Sequence, residues 1–315
     1  MLVTGGAGFI GSNITKELAG LGHKVKVIDN LSFGKKENLT SVKDKIKFIK
    51  ADIRDQKMLQ RELKGFDFVL HQAALRSVPG SFLQPDLYNE VNIGGTLNVF
   101  RAAQKNKIKR VVFASSSSVY GEAPAPQCEE MPLQPISPYA LTKMTGEHYG
   151  HIFSKFFGLS VICLRYFNVY GPGQSLDDEY ALVIPKFINC FFKNQKPPVF
   201  GTGRQSRDYI YIRDVVEANL LAALIPKINF EVFNVATGRD IKVLEIITGL
   251  NKIFKKNIKP KFLKPRPGDV FQTKGDISKI SHKLHFKLKF DFQQGLEETV
   301  EWFGKIHEQA RSLYN

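Results

Sequence analysis

Tyr139 and Lys143 stand four residues apart in SPYALTK (137–143), directly after a serine and a proline. Four residues is about one helical turn, so both side chains lie on one face. A free tyrosine has a pKa near ~10 and is about one part in a thousand ionised at neutral pH. A neighbouring ammonium favours the phenolate, which makes the pair either a tuned base or ordinary decoration of a half-exposed helix. Its meaning depends on what else the chain holds.

A second spacing that carries chemistry is VTGGAGFIG (3–11), with Gly5, Gly8 and Gly11 between a strand-like and a helix-like run. Glycines at that junction let backbone amides approach a pyrophosphate, whose charge then faces a helix N-terminus. Asp29 closes the next strand, KVKVID (24–29). Its carboxylate can accept from both ribose hydroxyls of NAD and repels the 2′-phosphate of NADP, so the cofactor implied is NAD. Asp52, after a third strand, suits either an adenine-edge contact or the N-cap of the helix that follows.

The elements that must hold these residues alternate strand and helix. KIKFIKAD (45–52), FDFVLHQAA (66–74) and KRVVFASS (109–116) read as further strands ending in small or polar residues, and helices are expected over Ile10–Gly20 and roughly 86–105. Such alternation implies a Rossmann-like, doubly wound parallel sheet in an α/β fold, with ligands at the carboxyl ends of the strands. Beyond residue 170 the rhythm loosens. Helices are expected over 180–192, 213–224, 242–253, 276–284 and 293–310, with strands within 197–212 and 231–238. The division this suggests is an NAD-binding domain over 1–170, to which elements near 213–238 return, and a smaller α+β substrate-binding cap over 171–315.

Composition narrows the class. The chain has 315 residues, 43% hydrophobic and 24% charged, with a net charge of +15. That balance fits attraction for an anionic small substrate or a lysine-rich solvated surface; no nucleic-acid-binding module accompanies it, and nucleic acid is not expected as a partner. No apolar run reaches the ~18–20 residues that span a bilayer, and the start reads into fold rather than into a signal, so no membrane and a cytoplasmic site are expected. Cys128, Cys163 and Cys190 are too few and too scattered for a disulfide framework or a metal knuckle, and HKLH (282–285) has no acidic or thiol partners nearby, so no metal is expected.

Together with ASSSSVYGE (114–122), the two motifs make the sequence resemble the extended short-chain dehydrogenase/reductase superfamily, and within it the NAD-dependent nucleotide-sugar epimerase/dehydratase family. DNLSFGKKENL (29–39), HQAALRSVP (71–79), RYFNVYGP (165–172), GRQSRDYIYIRDVVEA (203–218) and RPGDV (266–270) extend the likeness over nearly the whole chain. The resemblance implies that Tyr139 is the catalytic base, that Lys143 holds the nicotinamide ribose, and that Ser116 bonds the reacting hydroxyl with Ser117 beside it. It implies a cofactor site of Gly5, Gly8, Phe9, Ile10, Gly11, Asp29, Asn30, Asp52, Ile53, Ala73, Ala74, Tyr139 and Lys143, with Asn92 either near the cofactor or purely structural. Asn168, Arg207 and Arg266 match positions that grip the substrate's diphosphate, which an arginine fork suits. Helices near 86–105 and 137–156 match a pair that forms a homodimer through a four-helix bundle.

The implied reaction is epimerisation at C4 of a UDP-hexose through a transient 4-keto sugar. The dehydratases of the family carry an Asp-Glu pair where this chain has Ser117-Ser118, and SPYALTK lacks the glutamate usual in glucuronate decarboxylases. Both departures favour epimerisation. A redox sensor that merely binds NAD has no need for Ser116, Tyr139 and Lys143 together. Thr273 falls at a pocket wall where a tyrosine goes with plain glucose and galactose and a small residue admits N-acetyl sugars. Arg76 and Leu182 replace a glycine and an alanine of members devoted to acetylated sugars. Activity on both UDP-Glc/Gal and their N-acetyl forms is therefore expected. Arg76 also keeps UDP-glucuronate open as a substrate.

Overall fold

The computed structural model describes residues 1–175, 183–226, 228–264 and 271–312. Seven strands form its central sheet: β1 (Leu2–Thr4), β2 (Val25–Asp29), β3 (Ile46–Lys50), β4 (Phe68–His71), β5 (Arg110–Ser116), β6 (Ser160–Tyr166) and β11 (Phe230–Val235). Their order is β11-β6-β5-β4-β1-β2-β3, and every neighbouring pair is parallel. Strand order reverses on either side of β1, the point where doubly wound sheets open a crevice. All five residues of β2 are buried, as expected of a strand covered on both faces.

Helices α1 (Phe9–Gly20), α2 (Gln56–Glu62), α3 (Val78–Leu83), α4 (Pro85–Tyr88), α5 (Thr96–Lys105) and α6 (Pro138–Phe157) follow the first five strands. The expected helix over 86–105 is interrupted by a π-helical turn, Asn89–Gly95, where a Cβ on Gly95 would come within 2.5 Å of Ile53. Absence of a side chain there lets the helix approach the loop after β3. Helix α6 starts where Ser137 Oγ accepts from the Ala140 amide and Pro138 presets the first turn, and it stops at Gly158, which has a φ of 69°.

Three small strand pairs build the remainder: β7 (Asn168–Tyr170) with β10 (Tyr209–Tyr211), β8 (Pro198–Phe200) with β13 (Lys261–Leu263), and β9 (Ser206–Arg207) with β12 (Ile241–Lys242). Around them lie α7 (Val183–Phe192), α8 (Ile212–Leu224), α9 (Val243–Phe254), α10 (Ser278–Leu284) and α11 (Phe292–Ser312). Of these later elements, α8 packs against β5 and β6, and β11 joins the large sheet beside β6. One apolar cluster, including Ile162, Leu164, Phe187, Phe191, Leu250 and Phe303, runs from the sheet into these later helices. Among the described residues, no helix is long and apolar enough to cross a membrane.

Candidate active site

A cleft of ≈ 400 Å³ opens at the carboxyl ends of β1 to β5. Gly5, Gly8, Phe9, Ile10, Gly11, Asp29, Asn30, Asp52, Ile53, Ala73, Ala74, Arg76, Tyr139 and Lys143 all line it. The glycine loop needs its glycines. Gly5 has a φ of 67°, and a Cβ there would lie 2.6 Å from the Ala73 nitrogen; one on Gly11 would lie 2.2 Å from the Gly5 carbonyl oxygen. Gly8 is the N-cap of α1 and offers no side-chain cap, so the first turn of the helix presents backbone amides at the cleft. An uncapped helix start facing a cleft suits the pyrophosphate of a dinucleotide.

Asp29, at the end of β2, accepts from the Ala7 amide at 2.9 Å and the Leu31 amide at 2.8 Å, one on each oxygen. It therefore fixes the glycine loop as well as facing the cleft, a second duty that the spacing alone does not reveal. Asp52 does not cap α2; Asp55 does, accepting from the Met58 amide. Asp52 instead holds Arg54 through two nitrogens and Asn30 through its amide. The Arg54 guanidinium pulls the Asp52 carboxyl down to about 2. Asn92 is buried in the π-helical turn and spends its amide on both backbone groups of Leu75 and on Thr142. There it ties the Ala73–Arg76 loop to α6. Phe33, Gly34, Arg54, Leu87, Val91 and Tyr166, which carried no recognisable spacing, also line the cleft.

Beside Ala114 and Ser115 of the cleft, Tyr139, Lys143 and Ser116 come together. Lys143 is buried; its Nζ donates to the Ala114 carbonyl at 2.7 Å and lies 5.9 Å from the centre of the Tyr139 ring. Burial lowers the Lys143 ammonium to about 8, while Glu147 pulls it upward. Burial also raises the Tyr139 phenol above its ordinary value, opposed by a hydrogen bond with Ser116 and by the charge of Arg76. Ser116 Oγ accepts from the amide and hydroxyl of Ser118, at 3.2 and 2.9 Å, which leaves its own proton for the Tyr139 oxygen. Ser118 thus orients Ser116, and Ser117 begins the 3-10 turn Ser117–Tyr120. His71 sits behind, bonded to Thr4 and Thr96 and held neutral by burial, with its imidazole at about 3.

A second cluster, of residues that do not line this cleft, gathers around Ser206, Arg207 and Asp208. Asn168 donates to the Asp208 carbonyl, the Thr273 amide donates to the Ser206 carbonyl, and Arg207 Nη1 donates to Ser206 and Phe271 carbonyls. Asp208 is the clasp: its carboxylate accepts from Thr237 twice and from the amides of Gly238 and Gly275. Thr273 Oγ1 is buried and, among the described residues, has no hydrogen-bond partner. Leu182 and Arg266 lie outside the described residues. Among those residues no cluster of three or more His, Cys, Asp or Glu side chains could hold a metal ion.

Two further buried charges escaped the motif reading. Glu147, one turn past Lys143 on α6, is gripped through both oxygens by Arg165 at 2.9 and 2.7 Å and bonded by Ser115 Oγ. Ser115 and Arg165 face each other across β5 and β6. Extending the four-residue period of SPYALTKMTGE by one step would have found the glutamate.

Comparison with known proteins places this geometry. The family model for the NAD dependent epimerase/dehydratase family matches residues 1–236. A UDP-N-acetylglucosamine 4-epimerase from Methanobrevibacter ruminantium, solved in complex with UDP-N-acetylmuramic acid, is 42% identical, with a TM-score of 0.93 over 97% of this chain and 98% of its own. The UDP-glucose 4-epimerase of Thermotoga maritima, solved with UDP-glucose, is 38% identical, with a TM-score of 0.92 over 97% and 99%. A UDP-N-acetyl-alpha-D-glucosaminuronate decarboxylase from Bacillus cytotoxicus is 33% identical over 97% of this chain and 98% of its own. Kinship of this breadth fixes the family and its cofactor while leaving the reaction to the site. The chain belongs to the NAD dependent epimerase/dehydratase family, and its cofactor is NAD.

Proposed function

We propose that this protein interconverts UDP-hexoses that differ in configuration at C4, acting on UDP-Glc/UDP-Gal and on their N-acetyl forms. The observation that carries the reading is the grouping of Ser116, Tyr139 and Lys143 beside Ala114 and Ser115 of the cleft, with Ser117 and Ser118 where a dehydratase needs acids. NAD, held by the glycine loop, Asp29 and Lys143, would supply a reversible hydride acceptor for C4 and positive charge near the phenol. Tyr139 takes the proton from the C4 hydroxyl and later gives it back. Bringing its pKa from ~10 towards ~7 offsets roughly 4 kcal/mol of the cost of deprotonation. Ser116 donates its one hydroxyl proton to the Tyr139 oxygen, and Lys143 supplies fixed positive charge from a site anchored on the Ala114 carbonyl. Asn168 and Arg207 hold the diphosphate, so the 4-keto sugar turns over about that tether and presents its other face. Thr273 matches a sugar-facing position of the family, where a small side chain leaves room for an acetamido group.

The test compares kcat/KM for UDP-Glc, UDP-Gal, UDP-GlcNAc and UDP-GalNAc, with and without Thr273→Tyr. Activity on all four is expected, with the N-acetyl pair lost selectively in the variant because overpacking one wall costs about 1–3 kcal/mol. N-acetyl activity that survives the tyrosine unchanged, or is absent from the wild type, removes Thr273 from the account. One observation favours a second reading: Arg76 lines the cleft and its charge reaches the Tyr139 phenol, where it could meet a uronate carboxylate. UDP-glucuronate therefore belongs in the same panel, and a higher kcat/KM for it than for the four hexoses makes the protein a UDP-glucuronate 4-epimerase instead.

The active form in this reading is a homodimer. α6 exposes Leu141, Ile152 and Phe156, and α3, packed against α6, exposes Phe82 and Leu83, an apolar strip suited to a matching strip on a second copy. Light scattering at micromolar concentration should give twice the chain mass; monomer alone contradicts it.

A further inference from the structure

Tyr139, Lys143 and Glu147 recur every four residues along one face of α6, and β5 meets each of them in turn. Ser116 bonds Tyr139, the Ala114 carbonyl accepts from Lys143, and Ser115 bonds Glu147. Glu147 is 4% exposed and Arg165 3%, and the guanidinium takes both carboxylate oxygens. Arg165 is in turn held from its far side by the Tyr120 hydroxyl at 2.8 Å. A buried ion pair of this kind is weak evidence for stability, since apolar replacements of similar size often serve as well. Its place in the ladder gives it another use.

We infer that Glu147, gripped by Arg165 and Ser115, is a positioning residue that keeps Lys143 charged and anchored beside Tyr139. The inference rests on the reading of Tyr139 and Lys143 given above. Lys143 is buried, and burial alone favours the neutral amine. The groups facing it are few. On its own helix they are Tyr139 and Glu147; from β4 comes His71, neutral at physiological pH; from β5 come the Phe113 ring and the Ala114 carbonyl; from β6 Arg165 reaches it only through Glu147. Of these, Glu147 is the anion. Without it Lys143 gives up its proton more readily, and the phenolate loses its neighbouring charge.

The test follows the Lys143 amine directly in the full-length protein, by ¹³C NMR of ε-labelled lysine, the resonance being assigned by its loss in Lys143→Arg. Two variants are compared with wild type: Glu147→Gln, and Glu147→Gln/Arg165→Met, which removes both charges so that no buried guanidinium is left unpaired. The titration midpoint of Lys143 should fall by about one pH unit or more in both, a tenfold change in proton affinity. The alkaline limb of the pH–kcat profile should move to lower pH by the same amount. A folded variant in which the midpoint and the limb stay where they are in wild type, whatever its thermal stability, overturns the inference and leaves the pair structural. A shifted midpoint in a protein whose wild type turns over no UDP-sugar upholds Glu147's hold on Lys143 and defeats the proposed function instead.

Discussion

The cleft proposed to hold the cofactor and the cluster proposed to hold the substrate are built in different ways. The cleft is made by successive loops at one edge of a single sheet: the glycine loop after β1, Asp29 at the end of β2, Asp52 after β3 and Ala73 to Arg76 after β4. Each residue sits at the end of its own strand, so sheet register alone brings it into place. In the cluster proposed to hold the substrate, residues from 168, 206–208, 237–238 and 273–275 meet through hydrogen bonds around one buried residue, Asp208. The first is positioned by topology, the second by a clasp. Damage to the first should therefore appear in cofactor binding or chemistry, and damage to the second in substrate affinity.

The largest expected effect lies at Tyr139, which lines the cleft. Tyr139→Phe keeps the ring and its packing but removes the hydroxyl that exchanges a proton with the sugar. Turnover of UDP-sugar should fall by about 10²–10⁴-fold while NAD affinity, measured by fluorescence titration, stays within about twofold. Near-native turnover in this variant would remove Tyr139 from the chemistry.

Asp29→Ala comes next. The wild type should bind NAD at least about tenfold more tightly than NADP, and the variant should lose that preference. Because Asp29 also accepts the Ala7 and Leu31 amides, NAD affinity should fall as well. Equal binding of the two dinucleotides by the wild type contradicts the assignment of the second strand end.

Asp208→Asn tests the clasp. An amide cannot accept from donors on both of its sides, so the segments carrying Arg207 and Thr273 should drift apart. KM for UDP-sugar should rise about tenfold with kcat and NAD affinity little changed, a split that uniform loss of substrate binding produces. Equal losses in NAD and sugar affinity would merge the two into one cooperative unit.

The smallest effect is on stability. Asp52 has its folded pKa depressed to about 2 by Arg54. Stability from such a group is present above the unfolded carboxylate value, near ~4, and is lost as pH falls towards 2. Part of the pair is exposed, so solvent screening reduces its worth to about 1 kcal/mol. Arg54→Met should cost about that much in urea unfolding at pH 7 and nothing measurable near pH 2.

Legibility in the sequence follows the same division. The cofactor site lies in contiguous motifs, each at a strand end, and every residue assigned to it except Asn92 lines the cleft. Asn92 joins the Leu75 loop to α6, with partners 17 and 50 residues away that no local spacing reveals. The β-α alternation and the apolar runs made the sheet readable, because period and burial are local. The π-helical turn at Asn89–Gly95 was not, since it depends on Gly95 meeting Ile53. Asp208 was passed over beside Arg207 for the same reason: its donors come from residues 29 to 67 positions further along the chain. Glu147 was missed although its spacing was visible, because a lone glutamate on a helix means nothing until Arg165 is brought to it by β6.

The measurement that bears most directly on the whole account is the fate of the C4 hydrogen. UDP-glucose and UDP-GlcNAc carrying deuterium at C4 should be converted by the purified protein into their C4 epimers with the deuterium still at C4, followed by NMR, and without net accumulation of reduced cofactor. Deuterium lost to solvent, stoichiometric NADH, or no epimer from any UDP-sugar would contradict a reaction in which Tyr139 moves the proton and the same hydride leaves and returns.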